Sequence, residues 1–444
     1  LITYLGYALV AVLLFAWLPR RTAVVATYVG GWLVLPVGSY AAHRSGFTIE
    51  LIGTMLPAPA MLLNKAWVVA LVPLLLATIR APRAWLAWQP GLIDLPVLLF
   101  CLWPLPAGIA AAAPSPAPAV ACVYLMAVWG APWLLARIYL DDAAGRIALA
   151  KALTIGALAI APFALAEGVA GAFLYPLVYG PHPYIADGVD RYIGFRPLLM
   201  FENGNQYGIF VALAALGAIA LWRQGGSRAQ AAHAVIVTGL AILSQSVGAI
   251  LLMLAGAFVL LAPVHTRDLR RGAIAVAALC VIVAPLYVSG VLPIEQLVRH
   301  TAPGQKLLAV VRATGRGSIA WRVSQDQKVA GLIRQHPVVG TSRWDWWRPS
   351  QTRPWNLALL IVGQFGVIAF GLATWILGHG SIRLLARRDQ YGIVEQGLAL
   401  VAVLAALDAL LNAFVFVPAV LVAGTVATGR RPLATERNDR QRAG

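Results

Sequence analysis

Residues 205–222 read NQYGIFVALAALGAIALW, an uncharged run that opens on two amides and closes against Arg223. A helix needs roughly 20 mostly apolar residues to cross the hydrocarbon of a bilayer, so the run is read as a membrane span. Runs of the same kind recur on both sides of it, at 2–18, 22–38, 60–79, 92–112, 117–137, 148–174, 231–245, 247–264, 273–292, 356–378, 393–411 and 413–428. The whole chain of 444 residues is 60% hydrophobic and 11% charged, with a mean hydropathy of +0.77. An ordinary soluble domain carries about 25% charged residues. A water-soluble enzyme and a single-anchor receptor are therefore excluded. The expected fold is all-α: a polytopic integral membrane protein with twelve or thirteen transmembrane helices. The count turns on the short first pair and on whether the last run splits at Asn412.

The formal net charge is +17, which in a soluble chain would suggest nucleic acid. Here it is read loop by loop, and no nucleic-acid partner is expected. Of 34 basic residues only Lys65, Lys151, Lys306 and Lys328 are lysine, which leaves 30 arginines. Arginine is planar and permanently charged, and it suits phosphate. The short loops with Arg20 and Arg21, Arg80 and Arg83, Arg137 and Arg146, Arg223 and Arg228, Arg267, Arg270 and Arg271, and Arg383, Arg387 and Arg388 fall on one side if the spans alternate. The positive-inside rule makes that side cytoplasmic. The tail 429–444, with five more arginines, joins them. The three cysteines, Cys101, Cys122 and Cys280, lie far apart inside apolar runs and offer neither a disulfide framework nor a zinc spacing.

The chain divides into N-terminal spans 1–292, with an outer loop at about 175–204, a large outer loop 293–355, C-terminal spans 356–428, and the basic tail 429–444. The large loop holds ten basic residues against Glu295, Asp326 and Asp345, and five of the fifteen tryptophans. Its charge is not set by the positive-inside rule, which governs short loops.

Within it, Ser318 is a candidate N-cap for an amphipathic helix over 319–335, with Ile319, Val323, Ala330 and Ile333 on one face, ending at His336-Pro337. Arg322 and Asp326, four apart, are expected to pair. One reading of this helix is a face turned to solvent or lipid headgroups. The other is that Arg312, Arg316, Arg322 and Lys328 gather an anionic phosphate, since arginine offers a bidentate fork to its oxygens. Arg343, Trp344, Trp346, Trp347, Arg348, Arg353 and Trp355 follow. They are interfacial anchors or, interleaved with arginine, platforms for sugar rings.

Trp355-Asn356, nine residues, then Gly366-Val-Ile-Ala369 resembles the signature of O-antigen ligases. The stretch from Trp321-Arg322 to His336-Pro-Val-Val-Gly340 is similar to the lead-in shared by those ligases and the Wzy-type or exopolysaccharide polymerases. Phe201-Glu202-Asn203-Gly204-Asn205-Gln-Tyr207-Gly208 and Leu243-Ser244-Gln245-Ser246-Val247-Gly248-Ala249 are similar to two further segments of that superfamily. The resemblance spans roughly residues 190–378. Two positions depart from it: Trp355 stands where the family has histidine, and Val247 where it has arginine. Those departures favour a polysaccharide polymerase over a ligase.

The resemblance implies a GT-C-like glycosyltransferase of the bacterial inner membrane with its site facing the periplasm. The chemistry it implies is metal-independent, inverting and without cofactor, and it admits partners in a polysaccharide assembly complex. The donor is a glycan on undecaprenyl diphosphate in the lipid bilayer, and the acceptor is a sugar hydroxyl of another glycan. Negative charge grows on the departing diphosphate, and preorganised cations stabilise it. Arg196, Arg316 and Arg322 are the expected cations, and Glu202 the expected base for the acceptor hydroxyl, with Asp187 and Asp190 as alternatives. Asn203, Asn205, Arg312, Lys328, Arg343, Trp347, Trp355 and Asn356 complete the expected substrate site. The competing class is a transporter or flippase of lipid-linked sugars, for which the ionisable residues Lys65, Asp94, Glu167, Glu395 and Asp408 inside apolar runs would mark a pathway.

Overall fold

The computed structural model describes residues 2–37, 64–113, 117–183, 193–262, 300–313, 318–344, 346–352, 354–413 and 418–428, with 267, 268, 271, 272, 286 and 296 between them. Among these the regular elements are all helices. The helices are α1 (Ile2–Trp17), α2 (Arg20–Val34), α3 (Lys65–Arg80), α4 (Arg83–Ala87), α5 (Leu95–Leu102), α6 (Pro104–Ala110), α7 (Ala117–Leu140), α8 (Ala143–Ala170), α9 (Leu174–Tyr179), α10 (Gly204–Gly225), α11 (Arg228–Leu243), α12 (Val247–Leu261), α13 (Ala302–Ala313), α14 (Ser318–Ile333), α15 (Leu357–Leu385), α16 (Ile393–Asp408) and α17 (Pro418–Val426). Four of them, α7, α8, α10 and α15, are long and apolar enough to cross a membrane. The span expected at 273–292, apart from Leu286, and the tail 429–444 lie outside the described residues.

The axis of the bundle is α10. Nearly all of its residues from Gly204 to Leu221 are buried, as expected of a helix that is apolar all round. Asn203 caps its start, its Oδ1 accepting from the N–H groups of Asn205 and Gln206 at 3.0 Å each. Gly226 closes it in the left-handed region at φ 66°. Helices α8, α11, α12 and α16 pack around it. Small residues let backbones approach: Gly208 leaves no space for a methyl beside Ser246, nor Gly397 beside Ala220.

The two ends of this bundle differ chemically. At the end formed by the C-termini of α7 and α17 and the N-termini of α8 and α16, charges are buried in pairs. Arg137 donates from Nε to Asp94 at 2.7 Å and pairs with Asp141. Arg146 reaches Asp141 at 3.3 Å and Glu395 at 3.7 Å and donates to the Thr425 carbonyl. The sequence reading treated Arg137 and Arg146 as loop charges that orient the chain. They are buried instead, 5% and 1% exposed, because each has carboxylates from other helices within reach. The opposite end gathers amides and hydroxyls around Arg196, with Glu167, Lys65, Asp326 and Asp408 buried in the same region.

Helix α15 is broken. At Gly366 the backbone turns to φ 79°, ψ 177°, a region open essentially to glycine alone. The polar groups released by the break are taken up by other backbone and one indole. Gly363 O accepts from Thr341 N–H (3.0 Å), Gln364 O from Ser342 N–H (2.8 Å), Phe365 O from Trp103 Nε1 (2.7 Å), and Val367 N–H donates to Pro337 O (2.9 Å). Such replacement partners are what permit irregular backbone inside an apolar bundle.

Candidate functional site

Arg196 is the centre of the polar end. It is 2% exposed and is held from two sides: Nε donates to the Ser244 carbonyl at 3.0 Å, and Nη2 donates to Asn205 Oδ1 at 2.6 Å. Ser246 Oγ donates to the same Asn205 oxygen at 3.2 Å. Gly204 is glycine for a local reason, since a side chain there would collide with the Arg196 guanidinium. The tight link between α11 and α12 supplies Ser244 and Ser246. Its middle residue, Gln245, adopts φ 52° and grips the incoming segment, exchanging hydrogen bonds with the backbone of Ile193 (2.9 and 3.4 Å).

The approach of 198–200 is fixed by Glu167, which is fully buried. Its carboxylate accepts from three backbone N–H groups: Leu174 at 3.0 Å, and Leu198 and Leu199 at 2.8 Å each. Lys65, first residue of α3 and 5% exposed, donates to Met200 O at 2.7 Å and lies over the rings of Trp32 and Phe201. Glu202 is half-buried. Its N–H donates to Gln206 Oε1 at 3.0 Å, and its charge interacts with that of Lys65.

A second polar group joins this one through the start of α15. Asp326 on α14 accepts from Trp355 N–H at 3.1 Å and from Asn356 Nδ2 at 2.9 Å. The Asn356 oxygen caps α15 by accepting from Leu359 N–H at 2.8 Å. The next N–H, of Leu357, donates to Ala409 O and Asn412 O at 2.9 Å. Asn412 in turn bonds Asn205. The segments 201–208, 243–249, 321–340 and 355–369 therefore converge on one end of the bundle.

Several expected roles change on this geometry. Asn356 was expected to touch substrate, yet both ends of its amide are engaged within the protein and it is 8% exposed, a helix cap. Trp347 was expected as a sugar platform. It is buried with Val329, Ile333, Trp346, Leu359 and Val362, because the apolar face of α14 needs a cover where it lies on α15. Trp344 likewise packs edge-on against Tyr124, and Trp355 is half-buried above Asp326. The helix itself, expected on the outer surface, is docked through Val329, Ala330 and Ile333.

Lys328 is exposed, 3.5 Å from Gln325. Arg343 is exposed and lines a shallow cavity of about 370 Å³ with His336, Trp346 and Arg348. Arg316, Asp187, Asp190 and Arg353 lie outside the described residues. Arg312 and Arg322 fall on α13 and α14, but their side chains, and with them the expected Arg322–Asp326 pair, lie outside the description too. Asn203 is the cap of α10, and Asn205 is the partner of Arg196.

Sequence reasoning missed Asp326, Asn412 and Ser244 as structural members of the site, and named Glu167 and Asp408 only as marks of the competing transporter class. No protein-family model matches the chain, and no curated protein matches it.

Proposed function

We propose that this chain is a membrane glycosyltransferase that polymerises a glycan, or in second place ligates it, from an undecaprenyl-diphosphate-linked donor onto a sugar hydroxyl. On this reading the bundle is GT-C-like, crosses the bacterial inner membrane twelve or thirteen times, and turns segment 293–355 and the polar end toward the periplasm. The observation that carries the reading is the burial of Arg196 against two of the family-like segments, 201–208 and 243–249, with the other two joined to them through Asn412. A guanidinium fixed by a carbonyl and an amide oxygen is preorganised, and it meets growing negative charge without reorganising. It would stabilise the diphosphate as the glycosidic bond breaks. Glu202, two residues from the Lys65-bound Met200 carbonyl, would take the proton of the acceptor hydroxyl. Asn205 sets the direction of the arginine, and Asn203 holds the start of α10 beneath it.

The ionisable residues that favoured a transporter each have a partner inside the protein. Asp94 pairs with Arg137, Glu395 with Arg146, Glu167 with backbone amides, Asp408 with Asn412 and Lys65 with Met200. Charges tied in this way serve packing and positioning, which supports chemistry at one end over passage through the middle.

Purified protein in lipid is expected to lengthen or transfer a polyprenyl-diphosphate-linked glycan with no nucleotide sugar and no divalent metal added. Arg196→Ala is expected to lower the rate by about 10²- to 10³-fold, the typical loss for a preorganised donor to developing negative charge. Wild-type turnover in Arg196→Ala, or transbilayer movement of the lipid with no transfer, overturns the reading.

A further inference from the structure

We propose that Asn412 is a positioning residue that orients Arg196 and couples it to the anchor of α14, with Asp408 supplying the direction. The inference rests on Arg196 being the cation that meets the diphosphate.

Asn412 lies just beyond α16, its N–H bonded to Asp408 O at 2.9 Å. Its backbone carbonyl faces the start of α15 and accepts from Leu357 N–H at 2.9 Å. One residue earlier, Asn356 is bonded to Asp326 on α14. Its side chain faces the other way. Nδ2 donates to Asp408 Oδ1 at 2.7 Å, and Oδ1 accepts from Asn205 Nδ2 at 3.1 Å. Asn205 Oδ1 then accepts from Arg196 Nη2 and Ser246 Oγ. One residue of α16's end thus touches the loop anchor with its backbone and the arginine's partner with its amide.

The order of donors and acceptors in this chain is forced. A primary amide has a donor end and an acceptor end of almost equal size, so by itself it has no preferred direction. Arginine only donates, which calls for the Asn205 oxygen beside Arg196. Asp408, 3% exposed, accepts from the NH2 of Asn412, which turns the Asn412 oxygen toward Asn205. That in turn requires the NH2 of Asn205 to face Asn412 and its oxygen to face Arg196. Were Asn205 reversed, an NH2 would oppose the guanidinium, donor against donor, and the arginine would lose its seat. The carboxylate therefore sets the arginine's aim at second hand, through two amides.

The test uses the full chain in lipid, with donor turnover resolved into kcat and KM and with thermal unfolding followed in detergent. Asn412→Leu, which keeps size and removes the amide, is expected to lower kcat about 10- to 100-fold, the scale on which a displaced catalytic group loses rate. The donor KM is expected to stay within about threefold, a split that general loss of structure would not give. Asn205→Leu should do the same, and the double variant should be no worse than the worse single, since both break one relay. Asp408→Asn retains shape but removes the group that fixes direction, and it should lower kcat while the protein stays folded. Wild-type kcat in Asp408→Asn, or losses that multiply in the double variant, overturn the inference. If Arg196→Ala is inactive while Asn412→Leu and Asp408→Asn are both normal, this inference alone fails. If Arg196→Ala is fully active, the reading beneath it fails.

Discussion

Gly340 and Gly366 interlock: a methyl on Gly340 would run into the Gln364 carbonyl, and a methyl on Gly366 would run into the carbonyl of Val338. Both have positive φ, 70° and 79°. Each belongs to a different family-like segment, and the contact explains why both segments carry glycine at that point. Gly366→Ala and Gly340→Ala are each expected to lose more than the ~1–3 kcal/mol of backbone strain alone, because the clash adds to it. Gly371→Ala, in the same helix with open space around it, is expected to be neutral or to gain up to about 1 kcal/mol. Thermal unfolding of the three variants in one detergent checks the contrast.

Glu167→Gln replaces an acceptor of three backbone N–H groups by an amide that can turn an N–H toward one of them. Leaving buried backbone donors unmatched costs roughly 1–3 kcal/mol, more where a charged acceptor is lost. The variant is expected to unfold at lower temperature and to lose transfer with it. A transport role for the carboxylate would instead give a stable, inactive protein, so measuring stability beside activity separates the two.

Asp326→Ala should release the start of α15 from α14, and Asn356→Ala should resemble it. The sign is a rise in protease sensitivity between residues 293 and 355, with the loss of a helix cap, about 1 kcal/mol, added in the asparagine variant. Equal protease resistance in wild type and Asp326→Ala would show that α14 is held by its apolar face alone.

Trp347→Ala should behave as a core truncation, costing about 3–5 kcal/mol. Arg343→Ala, on an exposed residue, should leave stability unchanged to within about 0.5 kcal/mol. If Trp347→Ala leaves the unfolding temperature unmoved and raises only the KM for donor or acceptor, the tryptophan does face substrate.

Arg137→Ala strands Asp94 and Asp141 in a buried setting, where breaking one side of a pair typically costs about 3–5 kcal/mol. The double variant Asp94→Ala/Arg137→Ala should cost less than the two single losses added together. Denaturant titration of the four proteins measures this, and simple additivity would mean the pair is not coupled.

The helical bundle was legible because apolar runs bounded by charge have one solution in a bilayer, and the run at 205–222 indeed became the buried axis. Arg196, Asn203 and Asn205 stood out because polar residues crowd the start of that run. Other roles depended on direction, which composition does not carry. Tryptophan beside arginine reads the same whether the indole faces sugar or core, and at Trp347 the apolar stripe of α14 decided in favour of core. Asp326 was assigned to its helical neighbour at i−4, but its shown partners, Trp355 and Asn356, are about thirty residues away. Asn412 read only as an interruption, since its two sides meet partners brought together by the packing of α10, α15 and α16.

The break in α15 is filled by residues 337–342, whose peptide groups stand in for the missing turn on both sides of Gly366. Severing the chain somewhere between 343 and 354 would thus not separate the pieces. The upstream fragment would stay stitched to the downstream one by three main-chain bonds and the Trp103 indole, and the two should co-purify as a non-covalent pair.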